Sequence, residues 1–128
     1  MPRTLVHGPI ALVHASPESL WRAPSPERAD AELEQVYGPL GQPIAVYGHI
    51  HQSYIRKISG MTVVNTGSVS LSYDGDPRAA YLLLDDLEPQ IRRVEYDVDR
   101  EIQALAESRL PHTGWLAKTL QNARFVMP

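Results

Sequence analysis

The chain has 128 residues, of which 12 are Lys or Arg, 15 are Asp or Glu, five are His and none is Cys, and its formal net charge is −3. These numbers exclude a disulfide scaffold and a thiolate zinc site, and they argue against nucleic-acid binding through bulk charge. With 43% apolar residues, the chain is expected to form a single domain over residues 1–128, without the run of roughly 20 apolar residues that spans a bilayer.

The first part of the chain predicts two strands on either side of one helix. Residues 10–14 are a short apolar run that a Ser-Pro loop ends, which is typical of a buried strand. Ser25 can cap a helix over residues 26–37, because a proline follows at the first helical position and apolar residues recur at helical spacing. Residues 43–47 then form a second apolar run, which indicates a second buried strand.

The rest of the chain predicts four strands followed by two helices. The strands cover residues 54–58, 61–65, 79–84 and 90–96, and Ser59-Gly60 turns the first pair. Asp97 caps the first of the C-terminal helices, which together occupy residues 97–128, and the last one covers 113–124. The pattern predicts an α/β fold in which a mixed sheet, parallel early and antiparallel later, is flanked by helices.

Three histidines stand at the ends of the two early strands. His14 ends the first strand, and His49 and His51 follow the second in the motif Gly-His-x-His. The carboxyl ends of parallel strands meet at one edge of a sheet, so the three side chains are expected to converge there. Neutral imidazole is the commonest protein ligand for metals. Each histidine alone also fits a surface loop or a satisfied core position, but the three together favour a metal site.

A polar loop follows the strand over residues 61–65. Asn65 and Ser68 offer hydrogen bonds, and Gly67 permits a positive φ and the close approach of an oxyanion. The same residues also suit an ordinary turn, so the loop alone does not identify a site.

The succession of Gly48-His49-Ile50-His51 and Asn65-Thr66-Gly67-Ser68 resembles the second half of a calcineurin-like metallophosphoesterase, in its smaller bacterial and archaeal phosphodiesterase branch. The resemblance covers about residues 8–96 and implies the C-terminal half of the family's α/β sandwich. It implies that His14 and His49 bind one divalent ion and that His51 binds the other. The loop of Asn65, Gly67 and Ser68 would lie beside the phosphate, and the two ions would be Mn, Fe, Ni or Zn.

The resemblance also implies an activity and a limit on it. A complete site of this family hydrolyses a phosphate ester with a hydroxide activated by two metal ions. The family's Asp-x-His, Gly-Asp and Gly-Asn-His motifs have no counterpart in this sequence, so no catalytic residue is identified and the isolated chain is expected to be weak or inactive. The expected substrate is a small phosphate ester or a nucleotide.

Other interpretations of the same residues stay open. The chain can be a non-catalytic binding or scaffold module with this fold, whereas a mononuclear three-histidine zinc protein is a poorer fit because His49 and His51 are aimed apart. The strand carrying His14 is expected to present an uncovered edge, which predicts a homo-oligomer or a missing N-terminal half as its partner. The chain is thus expected to be truncated relative to the family pattern, and the lack of cysteine fits a cytoplasmic protein.

Overall fold

The computed structural model describes residues 3–126 and forms a mixed α/β fold, as the sequence predicts. The strands are Thr4–His7 (β1), Ile10–Val13 (β2), Ile44–Tyr47 (β3), Tyr54–Ile58 (β4), Met61–Asn65 (β5), Ala79–Asp85 (β6) and Glu88–Val94 (β7). The α-helices are Asp30–Tyr37 (α1), Val98–Glu107 (α2) and Thr113–Asn122 (α3), and a 3-10 turn over Gly38–Leu40 extends α1. The last two residues of the predicted C-terminal helical region lie outside the described part of the chain. No helix within that part is long and apolar enough to cross a membrane.

Five strands form one sheet in the order β1-β2-β3-β5-β4, and β6 pairs with β7 in a separate hairpin. The strands β2, β3 and β5 are mutually parallel, while β1 and β4 run antiparallel at the two edges. The carboxyl ends of β2, β3 and β5 therefore meet at one edge of the sheet. That edge carries the three histidines and the loop after Asn65.

The outer strand β1 was not predicted, and it changes the expected edge of the sheet. It pairs antiparallel with β2 over four residues, and Gly8, with φ +55°, turns the chain between them. The strand that leads to His14 thus has β1 on one side and β3 on the other, and the free edge belongs to β1. The strand escaped prediction because its four residues are mostly exposed and lack a buried apolar pattern.

Helix α1 begins at Asp30 instead of residue 26, and Ser25 is not its cap. Residues 26–28 form a turn, and the Arg56 guanidinium donates to the carbonyl oxygens of Pro26 and, at 2.6 Å, of Arg28. Because Arg56 fills these acceptors, they are not used by a helical hydrogen-bond ladder. The first helical carbonyl acceptor is that of Ala29, which has an extended backbone and no capping side chain.

The two faces of the five-stranded sheet bury different partners. One face packs Val13, Ala45, Tyr47, Ile58 and Val63 against Leu33 and Tyr37 of α1. The other face packs Ile44, Val46 and Val64 against apolar residues of the β6–β7 hairpin, among them Leu82 and Ile91. Strands β3 and β5 are covered on both faces, which explains their continuous apolar sequences. This burial fixes the strand ends from which the site residues project.

The remaining local predictions agree with the structure to within a few residues. Ser59 and Gly60, both with positive φ, turn β4 into β5, which matches the predicted hairpin. The Asp97 carboxylate accepts from the backbone N–H of Arg100 at 2.9 Å, as expected of a cap for α2. The last helix begins at Thr113 as predicted but ends two residues early, at Asn122.

Candidate metal centre

The exits of β2 and β3 bring two of the three histidines into contact. The backbone N–H of Gly48 donates to the carbonyl of His14 at 2.9 Å, which continues the parallel pairing one step beyond both strands. The rings of His14 and His49 then meet edge to face, with their centres 5.1 Å apart. The predicted convergence of these two imidazoles is therefore present.

His49 is oriented by the loop that follows β2. Its backbone is in the left-handed region, with φ +68°, and its Nε2 lies 3.2 Å from the carbonyl oxygen of Trp21. A carbonyl oxygen only accepts, so in this contact Nε2 carries the proton. In the neutral ring, Nδ1 is then left with its lone pair.

His51 is oriented in the same manner by a different loop. Its Nδ1 lies 2.7 Å from the carbonyl oxygen of Leu71, so Nδ1 donates and Nε2 keeps the lone pair of the neutral ring. The ring stacks on Tyr73 with centres 4.8 Å apart, and the backbone N–H of Tyr73 donates to the His51 carbonyl at 2.9 Å. A hydrogen bond from one ring nitrogen to a backbone carbonyl is the support that metal-binding histidines commonly have.

His14 and His49 are spaced to share a divalent cation, but His51 does not complete a three-ligand site with them. Two imidazoles that share a cation at nitrogen–metal distances of about 2.1 Å have ring centres roughly 5 Å apart, and His14 and His49 are 5.1 Å apart. Yet residues 3–126 contain no group of three or more His, Asp or Glu side chains placed to hold one metal ion. The three histidines do not form one mononuclear site in this arrangement, and His51 stands apart from the pair.

The loop after β5 is joined to the histidine segment by Asn65. This side chain is fully buried; its amide donates to the carbonyl of Gly48 at 2.6 Å, and its oxygen accepts from the N–H of Gly67 at 2.9 Å. Gly67 has φ +74° and lies so close to Ala80 and Ser53 that no side chain fits there. The Ser68 hydroxyl accepts from the N–H of Ser70 at 3.3 Å. Asn65 thus shapes the turn that presents the histidines, while Ser68 stabilises its own turn.

Two buried tyrosines, Tyr37 and Tyr47, and the partly buried Tyr54 hold the loop after His14 in place. The Tyr37 hydroxyl donates to the carbonyl of Ala15 at 2.7 Å, and the Tyr47 hydroxyl donates to that of Pro24 at 3.0 Å. Tyr54 donates to the Tyr47 oxygen at 2.7 Å, since the only Tyr47 proton is already used. Burial raises the pKa of all three phenols, so they remain neutral donors. The loop that supplies the Trp21 carbonyl is consequently anchored near both of its ends.

The carboxylates near the site are engaged by arginines. Arg93 of β7 donates to Asp74 at 2.5 Å, and Asp74 also accepts from the N–H and hydroxyl of Ser53. Burial opposes ionisation of Asp74, but the hydrogen bonds from Arg93 and Ser53 outweigh it and hold its pKa well below the usual range. The Arg78 guanidinium likewise lowers the pKa of Asp76 to about 2. The ion pairs of Arg93 with Asp74 and Asp76 fasten the loop that contains Tyr73 to the hairpin, whereas the pair of Arg78 with Asp76 lies within the loop.

Sequence reasoning missed the groups that orient the histidines. The carbonyls of Trp21 and Leu71 lie 28 and 20 residues away from their histidines in the chain, and a backbone carbonyl leaves no mark in a sequence. The structure also places the ring of Tyr73 against His51. The aromatic residues Trp21 and Tyr73, which the structure places beside His49 and His51, were the sequence signal that could have indicated these contacts.

Comparisons with known proteins show which family this chain matches. A model of the calcineurin-like phosphoesterase superfamily domain matches residues 3–87. The uncharacterized protein MJ0912 of Methanocaldococcus jannaschii is 28% identical over 130 residues, which cover 87% of this chain and 50% of that protein.

Two crystal structures share the fold. A metallophosphoesterase from Sphaerobacter thermophilus superposes with a TM-score of 0.78 at 22% identity, over 96% of this chain and 58% of the other. The hypothetical protein PH1004 from Pyrococcus horikoshii gives 0.79 at 20% identity, over 94% of this chain and 50% of the other. The chain therefore spans about half the length of the relatives it matches.

Proposed function

Since the chain belongs to the calcineurin-like phosphoesterase superfamily, we propose that it carries the three-histidine part of a metal-dependent phosphoesterase site. The observation that carries the proposal is the orientation of His49 and His51. Each ring donates one N–H to a backbone carbonyl and keeps the opposite nitrogen free to bind a cation. A solvated surface histidine has no need of such a fixed tautomer.

In this proposal the residues of the chain bind and orient the reactants. His14 and His49 hold one divalent cation, and His51 contributes to a second. Divalent cations bound there stabilise the charge that develops on a transferring phosphoryl group and lower the pKa of water. The Trp21 and Leu71 carbonyls fix which ring nitrogen is free. Asn65 holds the Gly48 carbonyl and so keeps the histidine segment in its turn.

We further propose that the site is incomplete within this chain. Among residues 3–126, no carboxylate joins the histidines in a metal-binding group, and Asp74 and Asp76 are engaged by Arg93 and Arg78. Two adjacent dications repel each other unless anionic ligands lie between them. The bridging carboxylates would therefore come from another segment or another chain, and the isolated chain would turn over a phosphate ester slowly or not at all.

A second candidate function is a binding or scaffold module that keeps the fold without catalysis. The ion pairs favour it, because within residues 3–126 they engage Asp74 and Asp76, two carboxylates that could otherwise serve as a general acid or base. The two candidates differ in metal affinity: a scaffold has no requirement for a cation, whereas a phosphoesterase half-site does.

Titration of the purified chain with Mn²⁺ by isothermal calorimetry separates the two candidates. We expect binding to the wild-type chain, and at least about a tenfold loss of affinity in His49→Ala and in His51→Ala. The matched control is His7→Ala, which removes an exposed histidine of β1 that lies outside the centre. Equal Mn²⁺ affinity in all four proteins, or no measurable binding, would overturn the proposed site and favour the scaffold.

A phosphodiesterase assay tests the incompleteness separately. With bis(p-nitrophenyl) phosphate and Mn²⁺, little turnover is expected from the isolated chain. Rapid hydrolysis that disappears in His49→Ala would support the phosphoesterase but contradict the incomplete site.

A further inference from the structure

A groove of about 760 Å³ runs beside the histidine segment. Its lining includes Ile50, Gln52 and Tyr73, together with Glu27 and the Arg124–Phe125 pair. The volume lies within the range of small-molecule sites. Ile50 is the residue between the two histidines of the motif, so the groove borders the histidine segment, although none of the three histidines lines it.

One wall of the groove is aromatic. The rings of Tyr73 and Phe125 meet at 72° with centres 5.5 Å apart, and Trp115 of α3 contacts Phe125 from another side at 6.2 Å. Phe125 nonetheless keeps 56% of its surface exposed. A large apolar ring that is held in position and still exposed beside a groove offers a ready face for a planar ligand.

The rest of the lining includes polar and charged side chains. Glu27 and Asp74 provide carboxylates, of which Asp74 is paired with Arg93. Gln52 provides an amide that both donates and accepts, and Arg124 a guanidinium. The hydrogen bond from Ser25 lowers the pKa of Glu27 further below neutral pH, where its carboxylate is ionised. The groove therefore presents acceptors and donors for a heterocyclic edge together with one cation for a phosphate.

The aromatic wall is continuous with the metal-binding segment. The Tyr73 ring stacks on His51 with ring centres 4.8 Å apart, and it also meets the Phe125 ring edge to face at 5.5 Å. A ligand ring that packs against Phe125 and Tyr73 is thus one ring away from a proposed metal ligand. An attached phosphate would lie toward the histidines.

From this arrangement we propose that the groove is the base-binding subsite of a nucleotide substrate. The nucleobase packs on the aromatic wall, its polar edge faces Glu27 and Gln52, and its phosphate points toward the histidine segment and Arg124. This inference rests on the proposed phosphoesterase function for the role of the phosphate, but the recognition of the base depends on the groove alone.

Ligand-observed NMR of the whole chain, without metal, tests the base-binding step directly. Adenosine 5′-monophosphate and adenosine are expected to bind, and ribose 5-phosphate, which lacks the ring, is expected to bind at least about fivefold more weakly. Phe125→Leu keeps an apolar side chain but removes the aromatic face, so it should weaken both adenine ligands by about fivefold or more. Arg124→Gln should weaken the monophosphate and leave adenosine unchanged.

The matched control is Tyr81→Leu, which removes an exposed aromatic ring from β6, outside the groove, and should leave all affinities unchanged. Equal affinities for the monophosphate and ribose 5-phosphate would overturn the subsite, and so would an unaltered Phe125→Leu protein. If the adenine ligands bind as expected but Mn²⁺ does not bind, the subsite stands and the phosphoesterase proposal fails. If Mn²⁺ binds through the histidines and adenosine does not bind, only the subsite fails.

Discussion

The side-chain amide of Asn65 donates to the Gly48 carbonyl at 2.6 Å, and its side-chain oxygen accepts from the Gly67 N–H. This one side chain therefore connects two loops of the candidate centre. The side chain has no exposed surface. The contact spans 17 residues of sequence and connects the exits of two adjacent parallel strands. The position of the Gly-His-x-His turn therefore depends on the last residue of β5.

Asn65→Ala is expected to destabilise the fold by about 2–4 kcal/mol, because it leaves two backbone groups without their partner in a buried place. Urea unfolding of the purified chain measures the change. The matched control is Asn122→Ala at the exposed end of α3, where the amide donates to the Lys118 carbonyl at 2.7 Å. The control should lose less than about 1 kcal/mol, and an equally small loss in Asn65→Ala would contradict the joining role.

Gly67→Ala is expected to cost more than Gly60→Ala, although both glycines have positive φ, +74° and +80°. A β-carbon at position 67 would lie 2.9 Å from the β-carbon of Ala80, whereas at position 60 it would meet nothing within 4 Å. The left-handed backbone alone costs about 1–2 kcal/mol, and the overlap adds about 1–3 kcal/mol. Thermal or urea unfolding of both variants isolates the packing contribution, and equal losses would show that the backbone relaxes around the added methyl group.

The strands of the site were predictable because their signals are local. The apolar runs that became β2, β3 and β5 are bounded by turn residues. Burial on both sheet faces makes the runs of β3 and β5 continuous. The Gly-His-x-His motif was placed correctly at a strand exit for the same reason, since open sheets gather their sites at the carboxyl ends of parallel strands.

What the sequence could not supply depends on contacts between distant segments. Strand β1 exists through its pairing with β2, and helix α1 starts late because Arg56, near the middle of β4, fills two carbonyls before it. The orientation of His51 depends on the Leu71 carbonyl and on the ion pair of Asp74 with Arg93. The identity of the metal ligands has not been tested and stays a prediction.

The free edge of β1 predicts association between two copies of the chain. Leu5 and Val6 are 55% and 52% exposed, and residues 4–7 carry no Lys, Arg, Asp or Glu. The opposite edge, β4, carries Arg56 and Lys57, and charged side chains protect a strand edge from pairing. We expect a second copy to pair along β1 at high concentration, so light scattering after size exclusion should report a dimer.

Lysines on β1 test that association. The double variant Leu5→Lys, Val6→Lys should be monomeric, while Leu87→Lys in the β6–β7 turn, where the leucine is 48% exposed, should behave as the wild type. A wild-type chain that stays monomeric at the highest attainable concentration would refute the β1 interface.

The ion pair of Asp74 predicts how the stability of the fold depends on pH. The carboxylate has a depressed pKa in the folded protein, so its contribution is fully present above the unfolded pKa of about 3.9 and is lost as the pH falls below it. Asp74→Asn should therefore cost about 1–2 kcal/mol at pH 7 and progressively less at acidic pH. Urea unfolding at several pH values measures this difference, with Asp85→Asn at the exposed hairpin turn as the control for a lost surface charge. A difference between wild type and Asp74→Asn that stays constant down to pH of about 2 would show that the ion pair does not stabilise the loop that contains Tyr73.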